Sequence, residues 1–224
     1  LRFLIQYKLH QENAPDFYFH EHISVMFPIS SPFILITNNL CFWYYFWYYF
    51  MCFLKFHPQE QLMTIRNANE TDLPAIVAIY NAAIPSRKAT ADLEPVSVQS
   101  RLAWFQGRGP LQRPIWVIEK EHIVVGWLSF KSFYGRPAYG ATAEVSIYIA
   151  PSVHQCGLGS RLLAQAIKAS PNLRIKTLLG FIFAHNQPSL KLFAKFGFQQ
   201  WGHLPQVAEL DGVERDLIIM GLRI

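Results

Sequence analysis

The chain has 224 residues, 51% of them hydrophobic and 16% charged, with a formal net charge of +5. That composition excludes a disordered or collagen-like polymer and leaves room for one large domain, or for one ordinary domain with an appendage. The positive balance favours anionic partners in general, but there is no Lys/Arg run of the kind that marks a nucleic-acid arm, so no nucleic-acid partner is expected.

The first 62 positions differ from the rest. Of 18 Phe, 10 Tyr and 6 Trp in the chain, 18 residues lie there, with three Lys/Arg against four Asp/Glu, which leaves 17 against 11 for residues 63 to 224. Residues 33 to 54, FILITNNLCFWYYFWYYFMCFL, carry no charge and are long enough for a membrane helix. Asn38 and Asn39 interrupt the run, and its aromatics form one block instead of two interfacial belts. A secretory signal fits poorly, because no small-residue cleavage site follows. Residues 1 to 62 therefore read as an aromatic-rich extension outside the domain, either spurious upstream sequence or unstructured. A membrane segment over 33 to 54 and a folded element stay open. Three cysteines, Cys41, Cys52 and Cys156, give neither a disulfide framework nor a zinc spacing. They point to a reducing, cytoplasmic compartment and to no metal site.

From Met63 the pattern becomes regular. A short strand over 63 to 67 leads to the capping cluster Glu70-Thr71-Asp72 and to a helix with Leu73, Ile76, Val77, Ile79 and Tyr80 on one stripe, ending near Pro85. Asn69-Glu70-Thr71 formally matches a glycosylation sequon, but in a reducing compartment it belongs to the helix start. The polar, Pro-bounded stretch PSRKATADLEP (85 to 95) precedes a second helix through Val98, Leu102, Trp104 and Phe105, stopped at Gly107. The strands PIWVIEK and IVVGWLSF form a hairpin about Glu121-His122.

After the loop 131 to 142 comes a strand, AEVSIYIA, with Glu144, Ser146 and Tyr148 on one face and Val145, Ile147 and Ile149 on the other. A helix opens at Gly157-Leu158-Gly159-Ser160, followed by the strand IKTLLGFIFA, a helix from Pro188 to Lys195, and two strands around GFQQWGHL and RDLIIMGL. The order β-α-α-β-β-β-α-β-α-β-β is neither a doubly wound sheet nor a bundle.

Between the glutamate strand and the next helix stands Pro151, then Val153-His154-Gln155-Cys156-Gly157-Leu158-Gly159. A glycine-bearing loop at a helix start suits a phosphate-sized anion, although a tight strand-to-helix turn explains the same fragment. It is not a Rossmann loop, since Leu163 stands where a third glycine is needed, nor a Walker loop, which requires Gly-Lys-Ser/Thr.

The element order, the glutamate strand, the P-x-x-x-x-x-G-x-G loop and N-x-x-S-x-x-L-F-x-x-x-G-F from Asn186 to Phe198 together resemble the GNAT superfamily of N-acetyltransferases. AEVSIYI and GFIFAHNQPSLKLFAKFGF are similar to its phosphinothricin/methionine sulfone acetyltransferase branch. The resemblance covers residues 63 to about 222. It implies an α/β fold of α+β type: a twisted, mixed, mostly antiparallel sheet with splayed central strands, here 143 to 150 and 175 to 184, flanked by about four helices. It further implies acetyl-CoA in the gap. The pantetheine would pair with the backbone of Ile147, Tyr148 and Ile149. The pyrophosphate would rest on the N–H groups of His154, Gln155, Cys156, Gly157, Leu158, Gly159 and Ser160. Asn186 and Ser189 would hold the far side, with helix capping as their alternative.

Two positions depart from the family. His154 stands where Arg or Gln is usual, and gives a weaker, pH-dependent phosphate contact. Phe193 stands where many members carry the tyrosine that protonates the departing thiolate, and Tyr148 and Tyr139 are poorer-placed substitutes. Glu144 is the expected general base, because amide formation needs a neutral amine; its alternative is a structural ion pair on the sheet. Cys156 reads as a loop residue and not a nucleophile.

Acceptor recognition is expected from the loops 85 to 94 and 131 to 142, with Arg87 and Arg136 for a carboxylate or phosphinate and Tyr134 and Tyr139 as walls. The implied activity is acetyl transfer to the α-amine of a small amino-acid-like compound of the methionine sulfone, methionine sulfoximine or phosphinothricin type, by a homodimer. Acetylation of a protein amine, or a membrane-tethered acyl-CoA-binding module, are the alternatives.

Overall fold

The computed structural model describes residues 63 to 107, 109 and 113 to 224. The extension 1 to 62, with its apolar segment 33 to 54, lies outside the described residues. Eleven regular elements follow in chain order: β1 (Met63–Asn67), α1 (Leu73–Ala83), α2 (Val98–Gln106), β2 (Ile115–Lys120), β3 (Ile123–Ser132), β4 (Thr142–Ile149), α3 (Leu158–Ala169), β5 (Thr177–Phe183), α4 (Gln187–Lys195), β6 (Gln199–Leu210) and β7 (Val213–Arg223). This is the expected order. The strands form one seven-stranded sheet in the order β1-β2-β3-β4-β5-β7-β6, in which only β4 and β5 run parallel.

Alternation along the strands divides the sheet into two faces. Trp116, Ile118, Leu128, Phe130 and Val145 turn toward α3 and α4 and pack with Leu162, Leu163 and Phe193 in the larger core. Their neighbours Ile115, Val117 and Trp127 turn the other way and meet Ile76 and Ile79 of α1, with Trp104 of α2 alongside. Each fully buried aliphatic side chain contributes about 1.5–3 kcal/mol of transfer free energy, so the α3/α4 side carries most of the stability.

Local chemistry explains the element ends. Asn69 N–H donates to Asp72 Oδ2 at 2.8 Å just before α1, and buried Asp72 also receives a fork from Arg66 at 2.6 and 2.8 Å. Ser97 Oγ accepts from Ser100 N–H at the start of α2. Asp211 and Gly212, with φ of 52° and 76°, make the two-residue β6–β7 turn.

One strand is longer than its sequence suggests. The strand expected around residues 197 to 204 runs on past Pro205 to Leu210. Pairing shifts between Leu204↔Leu217 and Ala208↔Arg215, so three residues bulge opposite Asp216, which accepts Gln206 N–H at 2.9 Å. Proline is tolerated there because β6 is the sheet edge and the residue sits in a bulge.

Candidate active site

The site begins where the sheet divides. β4 and β5 pair only at Thr142↔Thr177, Ala143↔Leu178 and Glu144↔Leu179, although β4 continues to Ile149 and β5 to Phe183. Beyond Glu144, β4 keeps its partner β3 and β5 keeps β7. A gap therefore opens over the five residues from Val145 to Ile149, roughly 16 Å of strand at about 3.3 Å per residue.

Register shows which backbone groups face that gap. Ala150 N–H donates to Val125 C=O, and the pairing sets Tyr148 opposite Trp127, Ser146 opposite Ser129 and Glu144 opposite Lys131. Those alternate residues direct their backbone bonds to β3, so Val145, Ile147 and Ile149 direct theirs into the gap. Of the three residues expected to receive a pantetheine, Ile147 turns its backbone to the gap, Ile149 turns its N–H there while its C=O meets the His154 ring, and the Tyr148 backbone faces β3.

The loop after β4 makes a half-turn at Pro151–Val153, then passes through Gln155 at φ 64° and Gly157 at φ 75° into α3. A Cβ on Gly157 would meet nothing within 4 Å, so this glycine serves the left-handed backbone and leaves an open cradle. Gly159 differs, since a Cβ there would lie 3.2 Å from Leu192 Cδ2; it lets α3 approach α4. Among the described residues the backbone N–H groups of 155 to 160 have no backbone acceptor, and those of the first turn are aligned with the helix dipole. His154 is different. Its N–H is turned to Pro151 C=O and its ring Nε2 lies 2.9 Å from Ile149 C=O, so it braces the loop against the strand instead of facing an anion.

On the α1/α2 face lies a cavity of about 200 Å³, lined by Tyr80, Arg101, Trp104, Trp127, Lys131 and Tyr148 among others. Trp127 stacks on Tyr148 at 4.5 Å between ring centroids, and Tyr80 meets Tyr148 edge-on at 5.0 Å. Arg101 is 2.7 Å from Asp92 and stands over the Tyr80 ring. Burial, with the adjacent Asp92 carboxylate, raises the Tyr80 phenol above its ordinary range; burial likewise raises Tyr148, so both stay protonated at neutral pH. Glu144 extends from β4 on this face, with Lys131 Nζ at 3.6 Å and about a quarter of its side chain exposed. The ion pair weighed for Glu144 is present, but loose.

The loop residues scatter more than expected. Tyr134 and Tyr139 cluster with Phe133, which stacks at 6.4 Å over Phe181 of β5 and so joins the loop to the lip of the gap. Arg136 is exposed and makes no side-chain bond among the described residues. Arg87 is engaged elsewhere: its fork grips Asp211 at 2.7 and 3.1 Å and Leu93 C=O at 2.8 Å. Asn186 caps α4, accepting from Ser189 N–H at 3.3 Å, and donates to Lys88 C=O at 3.0 Å. Phe193 is buried against Phe198 and above Gly180. The Tyr148 hydroxyl donates to Ala89 C=O at 3.2 Å.

Sequence reasoning missed Lys131, Arg101, Tyr80, Phe133 and Phe181. Lys131 was within reach, because strand alternation carried through the hairpin sets it on the same face as Glu144.

A family model, the acetyltransferase (GNAT) family, matches residues 74–198. The chain belongs to the GNAT acetyltransferases. It is accordingly an acetyltransferase enzyme that uses acetyl-CoA. It is 53% identical over 160 residues to YwnH of Bacillus subtilis, named provisionally as a phosphinothricin acetyltransferase, covering 71% of this chain and 98% of that protein. It is 32% identical to an L-methionine sulfoximine/L-methionine sulfone acetyltransferase of Salmonella typhimurium, over 72% of this chain and 95% of the relative. Among solved structures, a Salmonella typhimurium protein determined with its cofactor acetyl-CoA superposes with a TM-score of 0.68 at 32% identity, over 72% of this chain and 93% of that one.

The divided sheet, the free backbone edge and the open cradle at Gly157 fit that cofactor. Among the described residues no three metal-ligating side chains converge, and no helix is long and apolar enough to cross a membrane.

Proposed function

We propose that this chain acetylates the α-amine of a small amino-acid-like acceptor of the methionine sulfone, methionine sulfoximine or phosphinothricin type, with Glu144 as general base. The observation that carries this is the position of Glu144. It stands at the last paired residue before the gap, on the face that holds the cavity, with a lysine beside it.

Acetyl-CoA supplies an acyl carbon activated as a thioester. The Ile147 backbone and the Ile149 N–H would hold its pantetheine arm, and the N–H groups of residues 155 to 160 its pyrophosphate. Glu144 receives the proton of the acceptor ammonium and leaves a neutral nucleophile. Lys131, 3.6 Å away, offers a cation for the acceptor's carboxylate. An α-amino acid carries its ammonium and carboxylate on one carbon, which matches a Glu–Lys pair on adjacent strands. A 200 Å³ cavity walled by Trp127 and Tyr148 suits a single amino-acid side chain. Tyr134, Tyr139 and Arg136 form the outer wall, with Phe133 and Phe181 behind them. Arg87 belongs to this reading through its hold on Asp211 and not as a free cation.

Residues 63 to 224 are the catalytic domain in this reading, at work in a reducing, cytoplasmic compartment, and a second copy joins along the exposed edge β6, where Trp201 and Val207 face solvent. Sedimentation of the purified chain decides the last point.

The test is steady-state thiol release from acetyl-CoA with a panel of methionine sulfone, methionine sulfoximine, phosphinothricin, ordinary amino acids and amine-terminated peptides. Turnover of the sulfone, sulfoximine or phosphinate above the peptides is expected. Preference for the peptides would replace this reading with protein acetylation.

A further inference from the structure

Three successive carbonyl oxygens in the segment between α1 and α2 are held by three side chains from the two lips of the gap. His185 Nε2 lies 2.7 Å from Arg87 O, Asn186 Nδ2 3.0 Å from Lys88 O, and the Tyr148 hydroxyl 3.2 Å from Ala89 O. A carbonyl only accepts, so His185 carries a proton on Nε2. Tyr148 belongs to β4, whereas His185 and Asn186 follow directly on β5. Since β4 and β5 share no ladder beyond Glu144↔Leu179, residues 87 to 89 bridge them where they no longer touch.

The segment is fixed at its ends as well. Arg87 takes a left-handed φ of 52° and grips Asp211 in the β6–β7 turn, and Tyr80 bonds to Asp92 at 2.6 Å and to Thr90. A non-glycine residue keeps a left-handed backbone only where its surroundings determine it. The segment is polar and proline-bounded, yet it is tied at five residues.

We infer that His185 is a positioning residue for acetyl transfer: with Asn186 and Tyr148 it holds residues 87 to 89 as a strap across the divided sheet, closing the far end of the window through which an acceptor amine reaches Glu144. The window runs from Glu144, where the strands rejoin, to the level of Tyr148. Four residues of strand make it about 13 Å long. With the pantetheine arm in the gap itself, the acceptor comes to this window from the face that holds the cavity, past the strap. The inference rests on the acetyl-transfer reading above, with Glu144 at the reacting end.

The test uses the full chain as wild type, His185→Ala and His185→Gln. Hydrogen exchange followed by mass spectrometry reads the strap directly, and initial rates read its effect. In His185→Ala, amides between 84 and 94 should exchange about fivefold faster, the net worth of one hydrogen bond, with β4 and β5 peptides unchanged. The acceptor KM should rise by a similar factor, while the calorimetric Kd for coenzyme A moves less than twofold. Glutamine, whose side-chain amide can donate to the same carbonyl, should restore both. If His185→Ala does not fold, Asn186→Asp replaces it, since it keeps the oxygen that caps the helix and turns the donor facing Lys88 C=O into an acceptor, which loosens the same strap. Unchanged exchange over 84 to 94, or faster exchange with an unchanged acceptor KM, overturns the inference. If wild type acetylates no amine, the substrate reading fails by itself, and the strap is then judged on exchange alone.

Discussion

Replacing Glu144 by glutamine removes the proposed base while keeping the size of the side chain and a polar neighbour for Lys131. An α-amine with an ordinary pKa of about 8 is roughly one-tenth neutral at pH 7 and about nine-tenths neutral at pH 9. Without a base the variant must wait for amine that has already lost its proton, so its rate should climb about tenfold between those pH values. Positioned bases contribute about 10²- to 10⁴-fold. Glu144 is partly shielded and has only a loose partner at 3.6 Å, which argues for the lower end. The deficit in kcat/KM should therefore be about 100-fold at pH 7, narrowing to about 10-fold at pH 9. Thiol release at saturating acetyl-CoA measures it, with thermal melting as a control for folding. A deficit under threefold at pH 7, or one that stays constant up to pH 9, would refute the assignment.

Lys131→Met should raise the acceptor KM about fivefold with kcat nearly unchanged. That corresponds to about 1 kcal/mol, the upper range for an exposed ion pair, and amines lacking a carboxylate should lose nothing; comparing each amino acid with its decarboxylated amine checks this. Asp72→Asn should cost about 2 kcal/mol at pH 7, because it leaves Arg66 half-paired beside Glu119. The Arg66 fork, with help from Asn69 N–H, holds the Asp72 carboxyl below its ordinary pKa against the opposing effect of burial. Its contribution is therefore complete above about pH 4 and fades as pH falls through the lowered value. Urea titrations of both proteins should show their difference shrinking below pH 4.

Much of the fold is legible because its signals are local. Period-two alternation in AEVSIYIA assigns Glu144, Ser146 and Tyr148 to one face without reference to anything else, and the helical stripe of Leu162, Leu163 and Ala166 does the same for α3. The gap itself was legible only through the family resemblance, since nothing in the composition of β4 or β5 tells a paired strand from a parted one. The site's side-chain partners were not legible. Arg87 meets Asp211 across 124 positions, and His185 and Asn186 meet the strap across 98. Such pairings depend on where the β6–β7 turn and the start of α4 come to rest, so a free-looking arginine in a polar loop proved to be tied. Capping, by contrast, needs only neighbours, which is why the alternative weighed for Asn186 is the bond seen.

The two faces of β4 separate stability from chemistry. Val145, at 2% exposure, and its neighbours on that side belong to the core with Leu162, Leu163 and Phe193. Glu144, Ser146 and Tyr148 face the cavity side, where Lys131, Tyr80 and Arg101 also converge. Phe193 falls on the core side of this division. Its ring lies so close to Gly180 that a Cβ there would approach Cε1 to 2.4 Å, so the Phe193 ring packs where it does only because residue 180 is glycine. The polar groups within reach of a reacting amine then all stand on the other face, and the phenols among them are engaged: Tyr80 with Asp92 and Thr90, Tyr148 with Ala89. That is the structural ground for proposing Glu144 as the base: it is the one carboxylate on β4 and the residue at which the sheet begins to part.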